Sequence, residues 1–131
     1  MVVGAYAMAA HVVPRATGDI DIWVPADEAN ALRVFKALAG FGAPLEALGV
    51  QARDFVAPDR VVQIGLPPRR IDFLTGVSGI DFASAWERRS SARFSDLTVP
   101  VLGREDLVTN KRAAGRPKDL ADLTVLDLRS K

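Results

Sequence analysis

Two aspartates, Asp19 and Asp21, interrupt an apolar stretch that reads "DIDIWV" and has the composition of a β-strand. Alternate side chains of a strand point to the same face, so the two carboxylates share one face, about 6.6 Å apart along the strand. Ionised carboxylates on a half-buried surface are costly unless cations compensate them. The pair therefore indicates a cation site, and the alternative is an edge strand whose polar face lies in water.

A third isolated acid, Asp72, occurs in a second strand-like run, "RRIDFLTG", between Ile71 and Phe73. Three carboxylates from two short strands fit the ligand set of a two-metal site better than they fit three unrelated surface charges. We therefore predict that Asp19, Asp21 and Asp72 converge in an open cleft and bind divalent metal ions.

The composition narrows the choice of metal. The chain of 131 residues contains no cysteine and one histidine, His11, so a thiolate site is excluded and a histidine-rich zinc site is disfavoured. Carboxylate ligands favour hard cations, and Mg²⁺ or Mn²⁺ is the predicted cofactor. The formal net charge of +1 gives no strong overall field, so an anionic partner must be held by local basic residues.

The length corresponds to a single domain over residues 1–131. No apolar run approaches the roughly 20 residues that span a bilayer, and the N-terminus lacks the pattern of a signal peptide. We therefore expect a cytoplasmic protein with no membrane partner.

Strand-like and helical segments alternate along the chain, which predicts an α/β (α+β) fold: a mixed sheet of about four or five strands, with helices mostly on one side. In the helix predicted over 26–42, Leu32, Phe35 and Leu38 share a face and Gly40 is the expected C-terminal cap. Residues 52–59 read as a loop. Other strands are predicted within 1–3, 19–24, 60–65, 69–76 and 97–103, and other helices from 4 onward and within 43–50, 79–90, 104–115 and 116–128.

Gly4 and Ala5 stand where the first strand turns into a helix. A glycine at this point lets the backbone approach a phosphate closely, and the N-terminus of the helix presents free N–H groups to an anion. The same residue pair also occurs where a helix simply packs tightly on a sheet. The pair therefore gains meaning only from its spacing to Asp19.

The first residues, "MVVGAYAMAAHVV", begin in mid-pattern without a turn or a polar lead-in. This start has two alternative explanations. Either an N-terminal segment is missing relative to related proteins, or a second copy of the chain covers an exposed first strand. The second explanation predicts a homodimer.

The order "VGA", then 13 residues, then "DIDI" and a later "IDFL" resembles the nucleotidyltransferase superfamily with the polymerase-beta-like fold. This resemblance implies that Gly4 and Ala5 form the phosphate-binding turn and that Asp19 and Asp21 bind both metals. It also implies that Asp72 binds one metal and activates the attacking hydroxyl. Ala5 departs from the family, which often has Gly or Ser there, so a hydroxyl that could hold a phosphate is missing.

The segment "EDLVTNKRAAGRPKDLADL" is similar to the motif of small bacterial nucleotidyltransferase-like proteins of the abortive-infection toxin type. The corresponding residues here are Asp106, Lys111, Arg116, Asp119 and Asp122. The resemblance implies that Lys111 contacts phosphate, whereas a helical lysine without that motif would usually be solvated. Arg116 and Lys118 either assist Lys111 or pair with the two acids that follow them.

Several other residues are candidates for secondary roles. Arg15 and Thr17 precede the acidic strand in a loop at the predicted mouth of the cleft, where Arg15 either orients phosphate or is an ordinary surface arginine. His11 is expected to pack at a helix end, and Trp23 and Trp86 are expected in the core or at an interface. The candidates for a basic rim that binds RNA are Arg69, Arg70, Arg88, Arg89, Lys111 and Arg112.

The resemblance implies transfer of a nucleoside monophosphate from an NTP to an acceptor hydroxyl on RNA such as tRNA, on a protein side chain or on a small molecule. The alternative is a non-catalytic relative that binds nucleotide or a partner protein, as the toxin or antitoxin of a pair. A metal-dependent phosphoesterase that uses the same acids is a third hypothesis.

Overall fold

A computed structural model describes residues 1–11, 19–66, 70–94 and 96–130. This part of the chain forms six strands and six α-helices, and a short 3-10 helix, Ala52–Phe55, replaces the loop that the sequence predicts there. The strands are β1 Val2–Val3, β2 Asp19–Trp23, β3 Val61–Ile64, β4 Arg70–Leu74, β5 Ser90–Phe94 and β6 Leu97–Val101. The helices are α1 Gly4–His11, α2 Glu28–Phe41, α3 Leu45–Leu48, α4 Phe82–Glu87, α5 Arg104–Ala114 and α6 Pro117–Ser130.

The strands form one mixed sheet in the order β3-β4-β2-β1-β6-β5. β2 is parallel to β4, β1 is parallel to β6, and the remaining neighbours are antiparallel. The general α+β class with a mixed sheet is confirmed. The predicted strand count of four or five is too low, because the sequence analysis did not recognise β5.

The first strand lies inside the sheet. Val2 is paired with Ile22 of β2 on one side and with Val101 of β6 on the other. The expectation that β1 is an exposed edge is therefore wrong, and so is the reason for placing a second copy against it. A homodimer stays a prediction without that support.

Helices cover both faces of the sheet, which corrects the expectation that they lie mostly on one side. Successive residues of β4 show this, since side chains alternate between faces. Phe73 belongs to a core cluster with Leu38 of α2 and Phe55 of the 3-10 helix. Leu74 packs against the other cluster, which contains Leu107 of α5.

The boundaries of α2 follow from its caps. Asp27 is the N-cap, and its side chain accepts a hydrogen bond of 2.7 Å from the backbone N–H of Asn30. The C-cap is Gly42, with φ of 95°, and not the predicted Gly40. Leu32 is 58% exposed, so the buried face of this helix excludes it.

The two C-terminal helices form as the sequence predicts. Gly115, with φ of 63°, ends α5, and Pro117 is the first residue of α6. The turn between them is therefore tight and sets the two helices side by side. Among the described residues, no helix is both long enough and apolar enough to cross a bilayer.

Candidate functional site

An open cleft of about 1230 Å³ lies over one face of the sheet. Its floor is made by β2 and β4, whose parallel register places Asp19 beside Arg70 and Asp21 beside Asp72. All four side chains point to the same face because each pair is separated by one residue along its strand. The structure thus brings the three predicted carboxylates into one cleft, together with an arginine.

Arg70 is paired with two of the three carboxylates. Its Nη2 lies 3.0 Å from Oδ2 of Asp19 and 3.3 Å from Oδ2 of Asp72. Its Nε lies 2.9 Å from Oδ1 of Asp72. The guanidinium therefore supplies the positive charge that the sequence analysis assigned to metal ions.

Asp21 faces Asp72 directly. Burial raises the pKa of Asp21, and the charge of Asp72 and a hydrogen bond between the two carboxyl groups raise it further. The charge of Asp19 acts in the same direction, whereas that of Lys118 opposes it. The floor of the cleft thus has an excess of negative charge at the Asp21 and Asp72 pair, where an added cation would be favoured.

Gly4 and Ala5 lie at the wall of this cleft, at the start of α1. Gly4 has φ of 68°, and a Cβ atom at this position would lie 2.1 Å from Oδ2 of Asp21. Glycine is therefore required here by the contact with Asp21 as well as by the backbone conformation. The first turn of α1 begins beside the carboxylates, and its role as a phosphate-binding turn stays a prediction.

Asp19, Asp21 and Asp72 do not together form a metal site of three carboxylates. Across residues 1–11, 19–66, 70–94 and 96–130, no three acidic, histidine or cysteine side chains are grouped closely enough to hold one ion. Arg70 lies between Asp19 and Asp72 and forms ion pairs with both, so it separates two of the three predicted metal ligands. Mg²⁺ is commonly bound by one or two carboxylates together with substrate phosphates, and the Asp21 and Asp72 pair fits that smaller requirement.

Lys111 does not extend into the cleft as a free charge. Its side chain is buried, and its Nζ lies 2.8 Å from Oδ2 of Asp122 and 3.4 Å from Oδ1 of Asp119. Two buried carboxylates from α6 thus neutralise a lysine from α5. The contacts that the structure shows for Lys111 join the two helices, and its predicted phosphate contact remains a prediction.

Arg116 and Lys118 differ in their surroundings. The Nε of Arg116 donates a hydrogen bond of 2.7 Å to Oδ2 of Asp119, and its backbone N–H donates to the same oxygen at 3.1 Å. Of the two alternatives left open by the sequence, pairing with the helix acids is therefore observed for Arg116. Lys118 is exposed at the cleft, and its charge lowers the pKa of Asp21.

Asp106, the first acid of the C-terminal motif, pairs with Arg88. Two nitrogens of the guanidinium bind the carboxylate, with Nη2 at 2.7 Å from Oδ1 and Nε at 3.0 Å from Oδ2. Asp106 is buried at the start of α5, whereas Arg88 follows α4. This pair connects α4 with α5 and lies outside the lining of the cleft.

Some of the remaining predicted residues are described by the structure and some are not. Arg15, Thr17 and Arg69 lie outside the described residues. His11 is packed, with Nε2 at 2.8 Å from the carbonyl oxygen of Leu102. Trp23 is buried in the core. Trp86 stacks against Phe82, and the guanidinium of Arg89 lies over the Trp86 ring, 4.1 Å from its centre.

Two features of the cleft were missed by the sequence analysis. Arg70 was considered only for a basic rim, although it stands two residues before Asp72 in the same strand and must share its face. Asp59, with φ of 53°, also lines the cleft, and its Oδ1 is so close to Gly76 that a Cβ there would lie 2.2 Å away. No pattern in the sequence marks Asp59, since the contact joins a loop to the segment after β4.

We expect Asp119 to make the free energy of unfolding fall in acid. Burial alone would raise the pKa of Asp119, but hydrogen bonds from the side chain and backbone of Arg116 and the charge of Lys111 hold this pKa below its usual value of 3.8. A carboxyl group with a lowered pKa in the folded state contributes stability above its usual pKa and loses it as pH falls through the folded value. Urea unfolding between about pH 6 and about pH 3 measures this slope.

The Asn variant at this position isolates the effect. Asp119→Asn cannot titrate at residue 119, so its free energy of unfolding should depend less steeply on pH below the usual aspartate pKa. Comparing slopes and not absolute stabilities removes the cost of the substitution itself. Equal slopes in the two proteins would contradict this assignment of Asp119.

Comparison with known protein families gives no relative for this chain: no family model matches it. A search of the curated proteins likewise finds no match.

Proposed function

We propose that this protein is a metal-dependent nucleotidyltransferase, which transfers a nucleoside monophosphate from an NTP to an acceptor hydroxyl. One observation carries the proposal: Asp21 and Asp72 face each other on neighbouring parallel strands, beside the first turn of α1 at Gly4. A carboxylate pair next to a glycine turn and a helix N-terminus suits a magnesium nucleotide, because the carboxylates attract the cation and the N–H groups attract phosphate.

The roles follow from these positions. The backbone at Gly4 and Ala5 binds the phosphates, and Asp21 and Asp72 bind the cation. Magnesium, when bound, supplies charge that stabilises the leaving pyrophosphate and lowers the pKa of the acceptor hydroxyl. The acceptor oxygen bonds to the α-phosphorus, the bond to the bridging oxygen breaks, and Asp72 takes the hydroxyl proton. Lys118 is an exposed cation at the cleft that can contact the departing phosphates.

The proposal includes the predicted setting of the reaction. The acceptor belongs to one of three classes: RNA such as tRNA, a protein side chain or a small molecule. A cytoplasmic location and a toxin or antitoxin partner belong to the same proposal.

Label transfer tests this function. The protein is incubated with Mg²⁺, total RNA and cell protein, and with each NTP labelled in turn at the α-phosphate or at the γ-phosphate. Nucleotidyl transfer places only the α-label on the acceptor, whereas phosphoryl transfer would place the γ-label there. Asp21→Asn should reduce α-label incorporation by about 100-fold, because a charged group that acts on a transferring phosphate contributes on that scale.

A matched acid and a third product class complete the test. Glu87→Gln, which changes an exposed carboxylate of α4 in the same way, should retain full incorporation. Release of inorganic phosphate or cleaved RNA without incorporation would assign the cleft to a phosphoesterase. Incorporation that survives in Asp21→Asn would contradict the proposed site.

A non-catalytic role is the second candidate, and the ion pairs of the cleft favour it. Arg70 neutralises two carboxylates and Lys111 is neutralised by two others, so these charges are satisfied without substrate. In that case the chain binds nucleotide, or a partner protein of a toxin and antitoxin pair, without turning it over. Saturable NTP binding with no label transfer to any acceptor class would select this candidate.

A further inference from the structure

Arg70 is already the cation of the acidic floor. Its guanidinium contacts Asp19 at 3.0 Å and both oxygens of Asp72 at 2.9 Å and 3.3 Å. The side chain is mostly buried, with 27% of its area exposed, and it lines the cleft. An arginine in this position neutralises the same carboxylate, Asp72, that a divalent ion would use.

Arg70 and a divalent cation compete for the carboxylate of Asp72. A carboxylate held by a guanidinium has fewer lone pairs and less uncompensated charge to offer to a second cation. A guanidinium also binds phosphate in a bidentate manner, with the same planar geometry that it uses for carboxylates. Arg70 therefore has two anionic partners that fit it, one on the protein and one on a nucleotide.

We propose that Arg70 couples the binding of divalent cation to the binding of phosphate. Without nucleotide, the guanidinium holds Asp19 and Asp72 and keeps the affinity for divalent ions low. When an NTP binds, its phosphate accepts hydrogen bonds from the guanidinium of Arg70. The carboxylates of Asp19 and Asp72 are then no longer paired with Arg70 and can bind the divalent ion. This inference rests on the proposed function, since it assumes that phosphate and cation share this cleft.

Mn²⁺ binding, followed by the decrease of the free-ion EPR signal, tests the coupling without any turnover. Arg70→Gln should bind Mn²⁺ about 10-fold more tightly than the unsubstituted protein when no nucleotide is present, a coupling of ordinary size between two sites. Adding an NTP analogue with a non-cleavable bond after the α-phosphate should tighten Mn²⁺ binding in the unsubstituted protein. The same addition should tighten it less in Arg70→Gln, because the competing guanidinium is already gone.

Two further variants separate the coupling from general effects. Arg60→Gln removes another arginine that is paired with a carboxylate, Asp54, and that does not line the cleft, so its Mn²⁺ affinity should not change. Arg70→Lys keeps a cation in the cleft and should restore most of the low affinity. Circular dichroism at each titration temperature verifies that the variants are folded, and Arg70→Ala, which also removes the cation, replaces Arg70→Gln in the comparison if Arg70→Gln is not folded.

The outcomes separate this inference from the function on which it rests. Tighter Mn²⁺ binding in Arg70→Gln but not in Arg60→Gln, together with a smaller effect of the analogue in Arg70→Gln than in the unsubstituted protein, supports the coupling. This holds even where no label transfer is found and the transferase proposal fails. Equal or weaker Mn²⁺ binding in Arg70→Gln overturns the coupling, even where the unsubstituted protein transfers nucleotide. Absence of Mn²⁺ binding in every form, with and without the analogue, overturns the coupling and the metal requirement together.

Discussion

Lys111→Met should lower the free energy of unfolding by about 3–5 kcal/mol, the usual cost of removing one partner from a buried ion pair. Lys111 is a buried residue, 7% exposed, and its ammonium lies between the carboxylates of Asp119 and Asp122, residues that are 1% and 3% exposed. Methionine fills a similar volume without the charge, so two buried carboxylates would have one cation fewer. Urea unfolding followed by far-UV circular dichroism measures the loss.

Two comparisons give this prediction its meaning. Lys36→Met, the same change at an exposed site of α2, should alter stability by no more than about 0.5 kcal/mol. Lys111→Met combined with Asp122→Leu should recover part of the loss, because replacing a buried pair is far cheaper than breaking it. A Lys111→Met protein of normal stability that has lost nucleotide binding would instead support the phosphate contact that the sequence motif implies.

The C-terminal helices show how much of this fold the sequence could predict. Their starts and ends are set by local chemistry, a glycine with positive φ at 115 and a proline in the first turn at 117, and local chemistry is visible in the sequence. The end of α2 was misplaced for a related reason. Gly40 and Gly42 are both candidate caps, and only the backbone conformation distinguishes them.

The sheet was predicted less well because strand order depends on contacts between distant residues. β5, with the sequence "SSARF", has alternating exposure but little apolar character, since it is an edge strand with neighbours on one side only. β1 has only two residues, and nothing in them shows that Val2 pairs with strands on both sides. Long-range pairing therefore decided the features that the sequence analysis missed.

The sequence predicts which residues of the candidate site share a face of their strand, but it does not predict which strands are neighbours. The period of two along a strand places Asp19 and Asp21 on one face, and the same rule places Arg70 beside Asp72 on another strand. That β2 and β4 are neighbours, in a register that sets Asp21 beside Asp72, is a fact of the tertiary structure. The consequence, an arginine among the three acids, follows only when both facts are combined.

Gly4→Ala should lower the free energy of unfolding by about 3 kcal/mol and abolish binding of nucleotide. Gly4 has φ of 68°, where a residue with a Cβ is strained by about 1–3 kcal/mol. The new methyl group would also lie 2.1 Å from Oδ2 of Asp21, so either the carboxylate or the β1 to α1 turn must move. Thermal unfolding and NTP-analogue titration measure the two effects.

Other glycines of the same chain divide this cost into its parts. At Gly42, with φ of 95°, an added Cβ atom would meet no other part of the structure within 4 Å, so Gly42→Ala should show the backbone strain alone. At Gly40, inside the helix, an added Cβ atom would also lie in open space, so Gly40→Ala should be neutral or stabilising. The excess cost at Gly4 then measures the contact with Asp21. That excess should shrink in an Asp21→Ala background, because the two sites are in contact and their effects are not additive. An unchanged excess would show that the Asp21 carboxylate does not lie against the turn, and the phosphate-binding assignment of this turn would lose its structural basis.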